Sequence, residues 1–309
     1  MQTRPDVLVL GGGGVLGEAW MMGLLAGLEE AAGFDLRRCE SFVGTSAGAI
    51  VAAHLAAGER PRRPSRLEPA AEPAMEQATE GLGAAALAAA RWAGARALAA
   101  GAAFAPLALG MAAPGGAVLR AAMLRRLPRP AMTLSDLHRQ VERSGARFDG
   151  RLRITAVDRR TGRRVVFGSP RGPSASVAAA VAASCTVPWL FAPVEIGGRE
   201  YVDGGVWSPT NLDAAPAGRD THVLCLHPTA NIVGSDAMLA LLRTIGRTAV
   251  SVEAAAVRGR GARVQWVAPD VACAAEMGSN FMDRGPRGRV LAAGFRQGLA
   301  LGAGHGGRS

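Results

Sequence analysis

In the first thirty residues, a short apolar run is followed by a glycine-rich stretch and then by a longer stretch of periodic apolar residues. Residues 6–10 form a short, mostly apolar run, and four consecutive glycines follow it. Uninterrupted apolar runs of this length are typical of strands buried on both faces, as in parallel sheets. Beyond the glycines, Trp20, Leu24 and Leu28 recur every four residues and two glutamates close the polar side, which predicts an amphipathic helix. The N-terminal pattern is therefore strand, glycine-rich loop and helix.

A similar strand–turn–helix pattern recurs over residues 42–57. The apolar pair at 42–43 leads into Gly44, Ser46 follows, and Gly48 precedes an alanine-rich stretch that predicts a helix. The Gly-x-Ser-x-Gly spacing is that of a nucleophile elbow, in which small neighbours let strand and helix close around an exposed serine. A helix N-terminus there also favours developing negative charge. A glycine-rich connection capped by a serine is the structural alternative, and the pentapeptide alone does not decide between them.

The second half of the chain predicts further strands and helices. We predict strands at 152–157, 164–167, 221–226 and 263–267, and helices from residue 133, over 174–184 and over 238–257. Residues 158–163 are typical of a hairpin turn, and so is the pair Gly197-Gly198. The strand after that pair ends at Asp203, and two glycines follow that would leave its carboxylate accessible. An Asp-Gly turn without function is the alternative at this position.

Residues 60–130 interrupt this alternation. The stretch starts with a basic, proline-broken loop and continues as an alanine-rich region in which residues 97–119 carry no charge. That length could span a membrane, but Pro106 and Pro114 interrupt it and its composition is mostly alanine and glycine. We therefore predict an inserted helical cap, which could serve as a lid or as a contact surface for a membrane.

Composition excludes several classes of function. The chain has 309 residues, 49% of them hydrophobic but only 5% aromatic, which predicts a core of alanine, valine and leucine. Its net charge is +10, and all the basic residues are arginines, scattered along the sequence without interleaved aromatics. A nucleic-acid interface would cluster them, so we predict no nucleic-acid partner. Anionic lipid head groups fit this charge at least as well.

The cysteines predict neither a metal site nor a disulfide framework. The four cysteines lie far apart, and none forms a Cys-x-x-Cys pair. This usage suits a reducing compartment. Because no signal-peptide pattern precedes the first predicted strand, we expect a cytoplasmic protein.

The glycine-rich loop has two functional interpretations. Gly12-x-Gly14-x-x-Gly17 fits a dinucleotide-binding fingerprint, but the second predicted strand does not end in the acidic residue that a dinucleotide site needs. Alternatively, consecutive glycines let backbone N–H groups turn towards one point and form an oxyanion hole. A simple tight turn needs one glycine rather than four.

Taken together in this order, the motifs resemble those of the patatin-like phospholipase family. The glycine loop resembles the family's oxyanion loop, Gly44 to Gly48 its nucleophile motif, and Asp203-Gly204-Gly205 its aspartate motif. The segment from Ser184 to Asp203 resembles the family's approach to that aspartate. One departure is Leu16, where many members carry Arg or Lys. The resemblance covers residues 6–60 and about 150–230 well and the insertion poorly.

This resemblance implies a fold and a chemistry. The fold is a single catalytic domain over 1–309, a three-layer α/β/α arrangement around a central, mostly parallel sheet, with the alanine-rich helical insertion at 60–130. The activity is hydrolysis of a lipid or other acyl ester without metal or cofactor, and peripheral contact with the inner face of the membrane through the insertion is the further expectation. The implied site comprises a catalytic pair, Ser46 and Asp203; oxyanion and substrate-binding glycines Gly12, Gly13, Gly14 and Gly17; and supporting glycines Gly44, Gly48, Gly204 and Gly205.

Two alternatives are weaker. An α/β-hydrolase triad of Ser46, Asp203 and His227 has the right chain order, but only one predicted strand precedes the elbow strand, where that fold usually has several. A non-catalytic nucleotide-binding module using Gly12 to Gly17 is the alternative from another class.

Overall fold

A mixed sheet of eight strands forms the centre of the protein, for which a computed structural model describes residues 3–64, 116–232 and 237–303. The strands are β1 (Val7–Leu10), β2 (Ser41–Gly44), β3 (Leu152–Asp158), β4 (Arg164–Phe167), β5 (Val194–Ile196), β6 (Arg199–Asp203), β7 (His222–Leu226) and β8 (Arg263–Val267). The α-helices are α1 (Gly14–Ala32), α2 (Ala47–Ala56), α3 (Ala117–Arg126), α4 (Ser135–Arg143), α5 (Val177–Cys185), α6 (Ala237–Arg258), α7 (Val271–Met277) and α8 (Arg287–Ala303).

The strand order is β5-β6-β3-β2-β1-β7-β8, with β4 paired to β3 beside this path. Strands β3, β2, β1, β7 and β8 are mutually parallel, whereas β4 and β6 are antiparallel to β3 and β5 is antiparallel to β6. The predicted hairpins β3–β4 and β5–β6 are confirmed. The parallel strands end at a common edge, so the loops that follow β1 and β2 emerge side by side.

The side chains of the central strands alternate between two apolar layers. Leu8, Leu10 and Phe42 belong to a cluster that includes residues of α1, α2, α4 and α5, whereas Val9 and Val43 belong to a second cluster with residues of α6. Helices therefore cover both faces of the sheet, as parallel strands require. The predicted three-layer α/β/α fold is confirmed.

The prediction that α1 is amphipathic is wrong. Every residue from Val15 to Leu28 is buried, because α8, a helix that the sequence pattern did not predict, packs along the outer side of α1. Glycines on both helices allow their backbones to touch: a Cβ atom added to Gly294 would lie 2.5 Å from the Trp20 carbonyl oxygen. The indole N–H of Trp20 donates to Gln297 Oε1 of α8 at 2.8 Å.

Most of the predicted insertion at 60–130, namely residues 65–115, lies outside the described ranges. Its described C-terminal part is α3, which lies against β3 and β6 through the cluster of Leu124, Val157 and Val202. The uncharged stretch at 97–119, considered above as a span, also lies almost wholly outside the described residues. Within the described part of the chain, no helix combines the length and apolar character needed to cross a membrane.

Candidate active site

Ser46 occupies the turn between β2 and α2 in a strained backbone conformation. Its φ of 52° and ψ of −122° lie in a region that side-chain-bearing residues rarely adopt. The Ser46 N–H donates to the Ser184 hydroxyl oxygen at 2.8 Å. The turn is thus held from outside by the end of α5.

The glycines around Ser46 permit close packing of the turn. A Cβ atom on Gly48 would overlap the carbonyl oxygen of Leu10 in the neighbouring strand, and one on Gly44 would lie 2.5 Å from the Cα of Ala49. Both positions therefore exclude any larger residue. The strand–turn–helix expected of a nucleophile elbow is present.

Asp203 ends β6 and is buried. Its N–H donates to the Thr186 carbonyl oxygen at 2.9 Å, and its Oδ1 accepts the Gly205 N–H at 2.6 Å. Burial raises the pKa of Asp203 to about 6, while the Gly205 N–H and the Ser46 side chain oppose that rise by favouring the carboxylate. The Ser46 side chain is thus close enough to lower the pKa of the Asp203 carboxyl group.

The register of β3 explains why Ser46 and Asp203 meet. On one side, β4 pairs with β3 from Ile154 to Val157. On the other side, Ile154 is opposite Gly44 of β2 and Ala156 is opposite Asp203 of β6. Strands β2 and β6 therefore approach end to end along one edge of β3. Asp203, the last residue of β6, therefore lies close to Ser46, which is two residues past the end of β2.

The glycine loop lies against Ser46, but its glycines do not share one role. A Cβ atom on Gly12 would be 3.4 Å from the Ser46 Cβ, so Gly12 gives room beside the serine. The Gly12 N–H already donates to the Pro209 carbonyl at 2.8 Å, and the Gly17 N–H donates to the Gly13 carbonyl at 2.8 Å. In this structure both N–H groups therefore already have backbone acceptors, and a role of Gly12 and Gly17 in binding an oxyanion or substrate stays a prediction.

Gly13 and Gly14 differ from Gly12 and Gly17 in their hydrogen bonding. Neither N–H has an acceptor within the described residues, and both precede the first hydrogen-bonded turn of α1. Gly14 has φ of 57°, and a Cβ there would meet the Phe281 carbonyl oxygen at 2.7 Å. Leu16, the departure from the family pattern noted above, is fully buried in the core and brings no charge to the site.

The buried side-chain amide of Asn211, which the sequence did not indicate, connects the turn at Ser46 with the motif at Asp203. It lies on the side of the sheet that α6 covers. Asn211 Nδ2 lies 3.2 Å from Thr45 Oγ1, 3.2 Å from the Gly204 carbonyl and 2.7 Å from the Ser208 carbonyl. Thr45 precedes Ser46, and Gly204 follows Asp203. The only sequence signal is a Ser-Pro-Thr-Asn run after the aspartate motif, which alone is typical of a turn.

A partly buried carboxylate supports this segment. Glu253 of α6 accepts hydrogen bonds from the Thr210 hydroxyl at 2.7 Å and from the Leu212 N–H at 2.8 Å. Burial raises the pKa of Glu253, and these hydrogen bonds oppose the rise. Both flanks of Asn211 are thus tied to the helix layer opposite α1.

His227 follows β7 and is not brought to the serine. Strand β1 lies between β7 and the row formed by β2 and β6, which places the histidine backbone about 10 Å away from that row. The ring packs against Trp266, and neither ring nitrogen has a partner within the described residues. Burial lowers the pKa of His227 to about 4, with a smaller effect from Arg247.

The cysteines are buried and unbridged. Cys185 lies next to Ser46, and burial raises the pKa of its thiol well above the ordinary value, so the thiol stays neutral. Among the described residues, no group of three or more His, Cys, Asp or Glu side chains is arranged to hold a metal ion.

Comparisons with known proteins identify a matching family and similar solved structures. A family model described as patatin-like phospholipase matches residues 8–216. The structure is similar to VipD from Legionella pneumophila, at 16% identity and a TM-score of 0.50, covering 98% of this chain and 67% of that one. It also matches the type III effector protein ExoU, at 18% identity and a TM-score of 0.37, covering 97% of this chain and 53% of that one. The likeness to VipD shows a shared fold, and no curated protein matches.

Proposed function

Because the chain belongs to the patatin-like phospholipase family, we propose that it is a serine lipid acyl hydrolase of the phospholipase A or lysophospholipase type. Ser46 is the nucleophile and Asp203 the base. The observation that carries this proposal is that β2 and β6 end beside each other along β3, which brings Asp203 close to Ser46. The Ser46 side chain also favours the ionised form of Asp203.

In the acylation step, Ser46 Oγ attacks the carbonyl carbon of the ester, and its proton passes to the Asp203 carboxylate. The carbonyl oxygen takes up the electron pair and becomes an oxyanion. Collapse of this intermediate restores the carbonyl and breaks the bond to the leaving alcohol. The alcohol oxygen takes the proton from Asp203, and the acyl group stays on Ser46.

In the deacylation step, Asp203 accepts a proton from water while the water oxygen attacks the acyl carbon. Collapse of the second intermediate breaks the bond to Ser46 Oγ, which regains the proton from Asp203. The products are a free carboxylic acid and the original enzyme. One carboxylate serves both steps, so the proposal requires neither a histidine nor a cofactor.

The N–H groups of Gly13 and Gly14 are the proposed oxyanion donors. They lie at the start of α1, where the helix dipole also favours negative charge. Loss of one such donor commonly lowers the rate by a factor of ~10² to 10³. Gly12 and Gly17 support the loop by giving room to Ser46 and to Pro228, respectively.

An aspartate is a weak base in water, but burial changes this. With a pKa of about 6, Asp203 is ionised at neutral pH and still binds a proton strongly enough to accept it from the serine. The α/β-hydrolase triad is less favoured because the His227 ring packs against Trp266. The nucleotide-binding module is less favoured because β2 ends at Gly44 and not at an acidic residue.

Product analysis tests the proposal. The purified protein is incubated with mixed phospholipids, and free fatty acids and lysophospholipids are measured by mass spectrometry. We expect release by the wild type and by Ser251→Ala, a control at an exposed serine of α6, and none by Ser46→Ala. A fluorophosphonate probe should label Ser46. Equal release by Ser46→Ala, or an NAD-induced thermal shift without labelling, would overturn the proposal.

A further inference from the structure

Helix α3 exposes large apolar side chains at the surface. Val118 is 79% exposed and Leu119 is 38% exposed. At a rotation of 100° per residue, Ala122, Arg125 and Arg126 fall on the same side of the helix as these two residues. The exposed face of α3, defined by Val118, Leu119, Ala122, Arg125 and Arg126, is thus apolar at one end and basic at the other.

The charged residues of α3 and of the segment that follows it are all basic. Residues 117–131 contain four arginines and no acidic residue. Arg125, Arg126 and Arg129 are exposed, whereas Arg120 is buried on the other side of the helix. Exposed apolar side chains beside arginines are the composition of helices that lie at the surface of anionic membranes.

The opposite face of α3 is fixed to the strands of the candidate site. Arg159 after β3 donates from Nε to the Leu124 carbonyl at 3.1 Å and from Nη2 to the Leu127 carbonyl at 3.0 Å. The Arg120 guanidinium lies 4.4 Å from the ring centre of Trp207, four residues beyond Asp203. These contacts hold the exposed face of α3 in a constant position relative to Asp203.

From this arrangement we infer that the exposed face of α3 is a docking surface for an anionic phospholipid bilayer. Val118 and Leu119 enter the boundary between head groups and acyl chains, and Arg125 and Arg126 contact lipid phosphates. Docking brings the β3–β6 end of the sheet to the lipid surface. The inference rests on the proposed function for the identity of the substrate, but binding is measured independently of hydrolysis.

Vesicle co-sedimentation tests the surface. The full chain is mixed with vesicles of phosphatidylcholine alone or with one quarter phosphatidylglycerol. We expect wild-type binding to the anionic vesicles and at least tenfold weaker binding by the double variant Val118→Asp, Leu119→Asp. Val271→Asp is the matched control, because Val271 is an 88% exposed valine at the start of α7. It should bind like the wild type.

The arginines are tested separately. Arg125→Gln with Arg126→Gln should lose most of the preference for anionic vesicles and much of the salt dependence of binding. Hydrolysis of a soluble short-chain ester should be unchanged in all of these variants, which shows that they are folded.

The outcomes separate the two proposals. Absence of wild-type binding to anionic vesicles, or equal binding by the double aspartate variant and Val271→Asp, overturns the docking surface even if phospholipid is hydrolysed. If the double aspartate variant loses binding and Val271→Asp does not, the docking surface is supported. This holds even if the fluorophosphonate probe fails to label Ser46. In that last case the proposed hydrolase function fails and the docking surface stands.

Discussion

The Ser184 hydroxyl oxygen accepts a 2.8 Å hydrogen bond from the N–H group of Ser46. Two residues further on, the Thr186 carbonyl oxygen accepts the N–H of Asp203 at 2.9 Å. The end of α5 therefore holds the backbone of both proposed catalytic residues. Their separation is set by a rigid helix end and does not depend on contact between the two side chains alone.

Replacement of Ser184 should slow catalysis without weakening substrate binding. Ser184→Ala leaves the buried Ser46 N–H without an acceptor, which costs about 1–3 kcal/mol and lets the strained turn relax. We expect kcat for a soluble ester to fall at least tenfold with KM nearly unchanged. Ser184→Thr, which keeps the oxygen, should recover part of the rate.

The control for this variant is Ser144→Ala, which also removes a serine hydroxyl bonded to backbone at the end of a helix, here the Val141 carbonyl of α4. It should leave kcat unchanged. Equal kinetics for the two alanine variants would show that Ser184 does not position the nucleophile.

The rate should depend on the ionisation of Asp203. Its pKa is about 6, so the carboxylate that accepts the serine proton predominates above this pH and is lost below it. We expect kcat/KM for a soluble ester to fall about tenfold per pH unit below pH 6. Asp203→Asn should be inactive at every pH.

His227→Ala is the control for this profile, because burial keeps the pKa of His227 near 4 and its ring lies against Trp266. Most of the activity and the midpoint near pH 6 should remain. Loss of activity in His227→Ala with retention in Asp203→Asn would instead support a histidine-dependent triad.

Asp203 should also destabilise the fold at high pH. Its pKa is about 6 in the folded protein, whereas the ordinary pKa of an aspartate is 3.8, so burial disfavours the ionised form. The neutral carboxyl group contributes fully to stability below pH 3.8, the pKa in the unfolded chain. This contribution is lost as the pH rises through about 6, the pKa in the folded protein, and the free energy of unfolding falls by roughly 3 kcal/mol. Asp203→Asn should therefore unfold at higher urea concentration than the wild type at pH 8.

Near pH 4, where the folded wild-type residue is neutral, the two proteins should differ little in the free energy of unfolding. A difference that is the same at pH 4 and pH 8 would show that ionisation of Asp203 is not its cause.

The α1–α8 contact should be sensitive to a single methyl group. A Cβ on Gly298 would overlap the Leu24 carbonyl oxygen, whereas a Cβ on Gly288 of the same helix meets nothing within 4 Å. We expect Gly298→Ala to lower the free energy of unfolding by roughly 1–3 kcal/mol, because overpacking moves the helices apart. Gly288→Ala should be neutral or stabilising by up to about 1 kcal/mol, since alanine favours the helix.

Urea denaturation monitored by circular dichroism distinguishes the two variants. If Gly298→Ala and Gly288→Ala unfold at the same urea concentration, the close contact of α1 with α8 is not a source of stability.

Much of the fold was predictable because it depends on local patterns. The apolar runs at β1, β3 and β7 and the glycine pair between β5 and β6 each determine their own backbone conformation. Helix α8 was not predicted, since its glycines are unfavourable in an isolated helix and become favourable only when α1 packs against them. Because α8 was not predicted, α1 was expected to have a solvent-exposed side.

The sequence by itself determined the strand–turn–helix around Ser46 and the turn after Asp203, because each depends on a few adjacent residues whose size and spacing are sufficient. Only the tertiary structure decided how the glycine loop is used. The Gly12 N–H donates to the Pro209 carbonyl, which the fold brings close, so Gly13 and Gly14 are left as the proposed oxyanion donors. Tertiary structure likewise placed Ser184 and Asn211 around the site, because contacts between distant segments arise from strand order and register and leave no periodic signal along the chain.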